Sequence, residues 1–344
     1  GRKILDGSQK KFNKQDKPIK VAQLAGFISE KENYHHGQAS LESSITGKAF
    51  LDVGGIQLPQ LQPFGNFGSR AYGGDDAGQP RYIETKINSK LVSLIYPDSD
   101  KQILEYTFDE GIRGEPKFYI PIIPMAILES VEMPAHGWKI KVYAREVLDV
   151  IKNVRRMINE GNDIKLDPIS YYTLGYTGKI TTINNKIYSF GKYIYDKKSN
   201  AIIIKELPLR TWTDNYYEKI ITKEVISQHE SKNHSGDKGI NIILKLIPNA
   251  MEIIKKKKNP IGDNIEDYFN LREYMDEHLN YIENESNRVM EFKNIDEIIK
   301  YWFPYRQRLY GDRIDREILL LRLKIKILEN LIKYIKEYEK INIK

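Results

Sequence analysis

The chain has 344 residues, with 54 Lys and Arg against 47 Asp and Glu, a net charge of +7 and no cysteine. That length supports two or three domains with cores of their own, and the lack of thiols excludes disulfides and thiolate metal sites. No apolar run reaches the length of a membrane span and no signal-peptide pattern opens the chain, so no membrane partner is expected; the mild basic excess favours a polyanion without establishing one.

Seven basic residues, Arg2, Lys3, Lys10, Lys11, Lys14, Lys17 and Lys20, stand among the first twenty against Asp6 and Asp16. They read equally as a solvated opening segment or as a polyanion contact. From about Ile19 to Lys48 the pattern predicts two helices with a break between them. Val21, Leu24, Ala25 and Ile28 recur at helical spacing, Asn33 and Gly37 punctuate, and Leu41, Ile45 and Phe50 continue on a second face. Helix, break, helix is the skeleton of a helix-turn-helix, whose second helix reads DNA. Tyr34-His35-His36-Gly37 fills the break. Adjacent histidines cannot point the same way, so at most one reaches a phosphate, and a capping or packed histidine is the plainer reading. No third ligand stands at zinc-like spacing.

Gln62 to Glu84 holds five glycines and ends on Arg81-Tyr82, where a strand-like run to Ile87 begins. Glycines let a backbone turn tightly and approach a ligand closely. A flexible loop that delivers a tyrosine beside an arginine suits a phenolate attacking a phosphate, the guanidinium neutralising charge on the phosphoryl oxygens. Taken alone, most such loops are turns.

Leu91–Tyr96 and Phe118–Ile123 read as strands, and Val142–Ile158 as a helix ending in Arg155-Arg156. Glu132-Met133-Pro134-Ala135-His136-Gly137-Trp138 reads as a loop between them. From about Leu166 the texture changes. Lys179–Ile183 and Lys186–Phe190 alternate around Asn184-Asn185 as a hairpin, with Ala201–Lys205 a third strand. Asn215–Val225 reads as a helix, 227–238 as a loop and Ile240–Leu246 as another strand. Four lysines, Lys255 to Lys258, either add sequence-blind phosphate affinity or stand in solvent. Finally, Ile314, Ile318, Leu321, Ile325, Leu328, Ile332 and Ile335 trace a heptad seam that wants a partner helix.

Five stretches follow in order: Lys20-Val-Ala-Gln-Leu-Ala-Gly, Tyr34-His-His-Gly, the Gly-rich loop with Arg81-Tyr82, Phe118-Tyr-Ile-Pro-Ile-Ile-Pro, and Glu206-Leu-Pro-Leu-Arg-Thr-Trp-Thr. Together they resemble the DNA breakage-reunion region of type IIA DNA topoisomerases, of the eukaryotic kind and its relatives in large DNA viruses. The resemblance implies an α+β fold: a winged-helix (helix-turn-helix) domain over residues 1–165, an α/β tower domain over 166–292, and the start of a long coiled-coil helix over 293–344. It implies that Tyr82 attacks a backbone phosphorus to form a 5′-phosphotyrosine link, with Arg81 and His36 sharing the charge of the phosphorane. A free phenol has a pKa of about 10, so a base that the sequence does not name assists. Arg2, Lys3, Lys20, His35, Gln38, Ser40, Asn66, Arg70, Pro134 and His136 would contact DNA. In the family the stretch around Pro134 reads Gly-Ile-Gly-Thr-Gly-Trp, and its isoleucine wedges between base pairs. Proline at that position is an acceptable apolar wedge, although a turn proline is the bland alternative; Met133 and His136 are further departures.

The implied partners are double-stranded DNA and a second copy of the chain. The implied cofactors are Mg2+, on acidic ligands of a Toprim domain not contained in this sequence, and ATP, on a separate ATPase domain. Asp75 and Asp76 read as loop acids. In the family Gly-Arg-Lys lies in mid-polypeptide, so the expectation is a fragment that binds and bends DNA but cuts poorly alone. The setting would be intracellular and reducing, in the nucleus or at a cytoplasmic site of viral replication. Three other readings stay open: a non-catalytic winged-helix DNA-binding scaffold, a recombinase-like tyrosine transesterase linked to a 3′ phosphate, and a coiled-coil assembly protein.

Overall fold

The computed structural model describes residues 1–13, 16–109, 111–135, 137–236, 239–256, 263–283 and 288–342. Lys14, His136, Lys257 and Lys258, named above, lie outside the described residues.

Helix α1 (Arg2–Phe12) opens the fold where the sequence pattern shows only a basic segment. Ile4, Ser8 and Phe12 are spaced four apart, so they share one helical face, and all three are buried. A short strand β1 (Ile19–Lys20) leads into α2 (Val21–Lys31) and, after the expected break, α3 (Gln38–Gly47). The stripe Val21, Leu24, Ala25 and Ile28 is fully buried, each Leu or Ile contributing ~1.5–3 kcal/mol. Gly7 lets α1 cross α2 closely: a Cβ there would lie 2.7 Å from Ile28 Cγ1.

Strands β2 (Leu61–Phe64) and β3 (Glu84–Ile87) complete a three-stranded antiparallel sheet in the order β1-β3-β2. Thr85 and Ile87 point into the core while Glu84 and Lys86 alternate outward. Next, α4 (Ser89–Ile95) replaces the strand predicted over Leu91–Tyr96. Asn88 caps it by accepting from the Leu91 N–H, and the buried residues Val92 and Ile95 are three apart, which is helical spacing.

Strands β4 (Tyr106–Asp109) and β5 (Ile112–Pro116) form a hairpin. Phe118–Ile123 is not a strand; Pro121 and Pro124 remove donors a ladder would need. The stretch read as a loop around Pro134 is instead a β-hairpin, β6 (Val131–Ala135) against β7 (Trp138–Val142), with Pro134 opposite Lys139. Helix α5 (Val147–Glu160) starts later than predicted, where Glu146 accepts from the Leu148 N–H.

Strands β8 (Lys179–Ile183) and β9 (Lys186–Phe190) form the expected hairpin, and Asn184 and Asn185 both take positive φ, 50° and 59°. The strand at Ala201 belongs to a different sheet. There β10 (Lys192–Asp196), β11 (Ala201–Glu206), β12 (Lys232–Asn233) and β13 (Ile242–Lys245) lie in the order β10-β11-β13-β12. Ile202, Ile204, Ile242 and Leu244 from its buried face share one core with α6 (Thr213–Ile220), α7 (Ala250–Lys256) and α8 (Asn264–Tyr268). Strand β14 (Arg272–Met275) returns to pair with β9, and β15 (Asn280–Ile282) pairs with β16 (Val289–Glu291).

Helix α9 (Ile295–Asn342) has 48 residues, about 72 Å at 1.5 Å per residue. Its base packs Ile295, Ile298, Ile299 and Phe303 against Val150, Val154 and Met157 of α5. Arg306 is buried there with its guanidinium on Asp100 and the Ile120 carbonyl at 2.8 Å, and Arg313 reaches Ser99 Oγ at 3.1 Å. Beyond this joint the heptad residues Ile314, Leu321, Leu328 and Ile335 are exposed. Among the described residues no helix is long and apolar enough to cross a membrane.

Removing one partner of a buried ion pair leaves the other charge uncompensated. Asp100→Ala is therefore expected to lower unfolding free energy by about 3–5 kcal/mol, read from the urea midpoint at constant m-value.

Candidate nucleic-acid interface

Arg81 and Tyr82 sit on a turn that feeds β3. The Tyr82 and Ile83 N–H groups both donate to the Gln79 carbonyl, at 2.8 and 3.4 Å. The first N–H groups of a helix lack intrahelical acceptors. Here Val21 donates to the Ile83 carbonyl and Ala22 to the Pro80 carbonyl, each at 3.1 Å. The start of α2 thus holds the backbone on both sides of Arg81-Tyr82. Lys20 adds a hydrogen bond from Nζ to the Tyr82 carbonyl (3.2 Å) and an ion pair with Glu84 (2.7 Å).

On this fixed backbone the Tyr82 side chain is 66% exposed, and its hydroxyl makes no hydrogen bond among the described residues. The Arg81 guanidinium lies 4.9 Å from the centre of its ring. Tyr96, Tyr119 and Tyr216 are the opposite case: burial pushes their phenols far above the usual range. An exposed phenol flanked by cations is free to meet a phosphodiester.

The Gly-rich loop is braced, not the flexible arm its glycines predict. Asn66 accepts the Gly78 N–H on its carbonyl and the Gly68 N–H on its side-chain oxygen, and donates to the Asp76 carbonyl, all at 2.9 Å. Asp76 accepts from the Ser69 N–H (2.8 Å) and hydroxyl (2.6 Å). Partial burial pushes its carboxyl up, but these bonds outweigh that and hold it below the ordinary range. The loop then lies on the segment from Glu206 to Asp214. Arg70 pairs with Glu206 and donates to the Leu207 carbonyl at 3.3 Å, while Glu206 also accepts from Thr177 N–H and Oγ1 at 2.9 and 3.0 Å. Gly73, at φ +66°, rests on Trp212, where a Cβ would come within 2.2 Å of the indole. Tyr72 faces Asp214, and hydrogen bonding to that carboxylate, with its negative charge, pushes the phenol up.

Of the residues expected on DNA, Arg70 is therefore engaged inside the protein, while Asn66 stays exposed with its amide bonded within its own loop. Lys3 is likewise paired, to Glu115 at 3.2 Å and to the Glu32 carbonyl, whereas Arg2 is half-exposed at 4.0 Å from Glu115. His35 and His36 diverge as adjacent residues must: His35 Nε2 lies 3.6 Å from Asp109, and His36 meets the Tyr34 ring edge-on at 5.3 Å. Both are exposed at the start of α3, where Gly37 supplies no side-chain cap. Beside them Gln38 donates to Glu42 at 2.8 Å and Ser40 is exposed. Pro134 is exposed near the end of the β6–β7 hairpin. Sequence reasoning missed the roles of Glu206 and Trp212 as braces; the signal was their motif, which carried no chemistry of its own. Among the described residues no group of three or more His, Cys, Asp or Glu could hold a metal ion.

Gly73→Ala combines a left-handed backbone with a collision against Trp212, and is expected to cost more than about 2 kcal/mol of stability. Gly26→Ala, mid-helix in α2 with nothing within 4 Å, is expected to gain about 0.5–1 kcal/mol. Thermal melts of the two variants should move in opposite directions.

Residues 1–343 match the family model for the A subunit of DNA gyrase/topoisomerase IV. The chain is 33% identical over 359 residues to the DNA topoisomerase 2 of African swine fever virus (isolate Tick/South Africa/Pretoriuskop Pr4/1996), covering 99% of this chain and 30% of that protein. It is 30% identical to mouse DNA topoisomerase 2-beta, over 98% of this chain and 20% of that one. The crystal structure of the Plasmodium falciparum topoisomerase II DNA-binding, cleavage and re-ligation domain superposes with a TM-score of 0.83 at 28% identity, covering 92% of this chain and 42% of that one. The chain spans about a third or less of the length of these curated relatives. With one family description matching from end to end and the fold matching as well, the chain belongs to the DNA gyrase/topoisomerase IV A-subunit family.

Proposed function

We propose that this chain is the part of a type II topoisomerase that binds duplex DNA, cuts both strands and reseals them while another duplex passes. The observation that carries the reading is Tyr82, exposed on an anchored turn with Arg81 over its ring. The phenol oxygen bonds to phosphorus and the bond from phosphorus to the 3′ oxygen breaks. The phenol releases its proton and the 3′ oxygen takes one up, so the phosphodiester energy is kept in a 5′-phosphotyrosine. Arg81 and His36 share the charge on the phosphorane, an effect that is strongest where cations are already in place. Arg2, Lys20, His35, Gln38 and Ser40 contact phosphates and position the duplex. Pro134 acts as an apolar wedge that bends it.

In this reading α2, α3 and the β1-β3-β2 sheet form a winged helix within residues 1–165. The sheets and helices of 166–292 form a tower supporting the DNA arms, and 293–344 begin a coiled-coil arm. A second copy of the chain supplies the second tyrosine. Magnesium and ATP are assigned to the Toprim and ATPase domains of the full-length enzyme, and the residues named here bind, position and transfer the DNA strand. The place of action is where DNA is replicated, in the nucleus or at a cytoplasmic viral site.

In full-length enzyme with magnesium and end-labelled duplex, Tyr82→Phe is expected to abolish denaturant-trapped DNA adducts while DNA affinity holds. Arg81→Ala is expected to slow cleavage by about 100-fold or more. Adducts that survive Tyr82→Phe would leave the chain a DNA-binding scaffold, and linkage through a 3′ phosphate would make it a recombinase-like transesterase.

A further inference from the structure

We propose that Arg210 is a positioning residue for the β6–β7 hairpin, its ion pair with Glu132 setting the angle at which Pro134 meets DNA. This rests on the reading of Pro134 as the bending wedge. Three observations lead to it.

First, Arg210 adopts φ +65°, a left-handed conformation that costs a residue with a Cβ about 1–2 kcal/mol and that glycine takes freely. A large side chain at such a position needs a use, and here the guanidinium hydrogen-bonds the Glu132 carboxylate. Secondly, the two strands of the hairpin are anchored differently. Strand β7 is tied along its length: Lys141 and His278 exchange backbone hydrogen bonds at 3.0 and 2.7 Å, Asn280 donates to the Lys139 carbonyl at 2.8 Å, and Lys139 pairs with Asp276 at 2.8 Å. Strand β6 reaches away from the hairpin through Glu132 Oε2 on Arg210, while Glu132 Oε1 faces Lys139 and Lys141 of β7 at 3.6 and 3.9 Å. Glu132 and Pro134 are two apart on that strand, so they share a face, and a tilt at one is transmitted to the other.

Thirdly, Arg210 projects from a rigid base. Its neighbours Leu207 and Leu209 are buried, Leu209 N–H donates to Ser189 Oγ at 3.2 Å, and Thr211 N–H donates to the Pro208 carbonyl at 3.2 Å. This is the segment that braces the Gly-rich loop through Glu206 and Trp212. One strip of backbone therefore positions both the loop leading to Tyr82 and the hairpin carrying Pro134, fixing the wedge relative to the nucleophile.

The competing role for Arg210, whose side chain is 49% exposed, is a direct phosphate contact. Glu132→Gln separates the two, because it removes an acid and leaves the arginine in place. The chain would be tested for duplex bending by energy transfer between end labels, for affinity at two salt concentrations, and for amide exchange over 131–142 without DNA. Glu132→Gln and Arg210→Met are each expected to lose at least about half the bend and to speed β6 exchange by about tenfold. Affinity should stay within about threefold, with no change in salt slope. Full bending by Glu132→Gln or by Arg210→Met overturns the role of Arg210, as does a loss of about one unit of salt slope in Arg210→Met alone. A wild-type chain that leaves the duplex straight overturns the wedge reading and this proposal together.

Discussion

Beneath the Gly-rich loop Arg70 and Glu206 meet in a buried ion pair, and beside it Gly73 lies flat on Trp212. Burying two charges is costly unless every polar atom around them is matched. Here the carboxylate takes further hydrogen bonds from Thr177 and the guanidinium adds the Leu207 carbonyl, so several directed contacts offset part of the desolvation, while Arg70 Nε stays buried without a partner among the described residues. The contact joins residues 136 positions apart in sequence. It turns a glycine-rich stretch that would otherwise be mobile into a platform, and Tyr82 leaves that platform at a defined point.

The chemistry then depends on what is left unburied. The chain has 23 tyrosines, so residue type alone singles out none of them. Most of those whose environment is perturbed lie in apolar surroundings where the phenolate is disfavoured, as at Tyr96, Tyr119 and Tyr216. Tyr82 differs because its backbone is held from behind by the first turn of α2 while its ring faces outward under a guanidinium. Rigidity in the main chain and exposure of the side chain are achieved together. The orphan donors of a helix start are satisfied by the carbonyls of the turn that carries the residue.

Helix α9 repeats the same division between anchored and open parts. Its base is tied to the rest of the chain by Arg306 on Asp100 and by an apolar face on α5, whereas Ile314, Leu321, Leu328 and Ile335 face solvent. A seam of that regularity is stabilised by a helix packed against it, and the residues that would contact such a helix are already aligned by the joint at Arg306.

Much of this was legible in residue order because it depends on local periodicity. The Val21-Leu24-Ala25-Ile28 stripe, the Asn184-Asn185 turn and the heptads of α9 are short-range patterns, and the structure places a helix, a hairpin and a helix there. The motifs around Tyr34, Arg81-Tyr82 and Glu206 likewise identified the family without coordinates. Other elements read differently because the deciding contact is remote. Helix α1 forms because Ile4, Ser8 and Phe12 find a core made by later residues, and Arg70 turns inward because Glu206, from a distant segment, reaches it. A sequence fixes which side chains are near in the chain, so it determined the elements and the chemistry available. Only the tertiary fold decided which cations remain free, since that depends on which carboxylates and carbonyls are brought beside them through space.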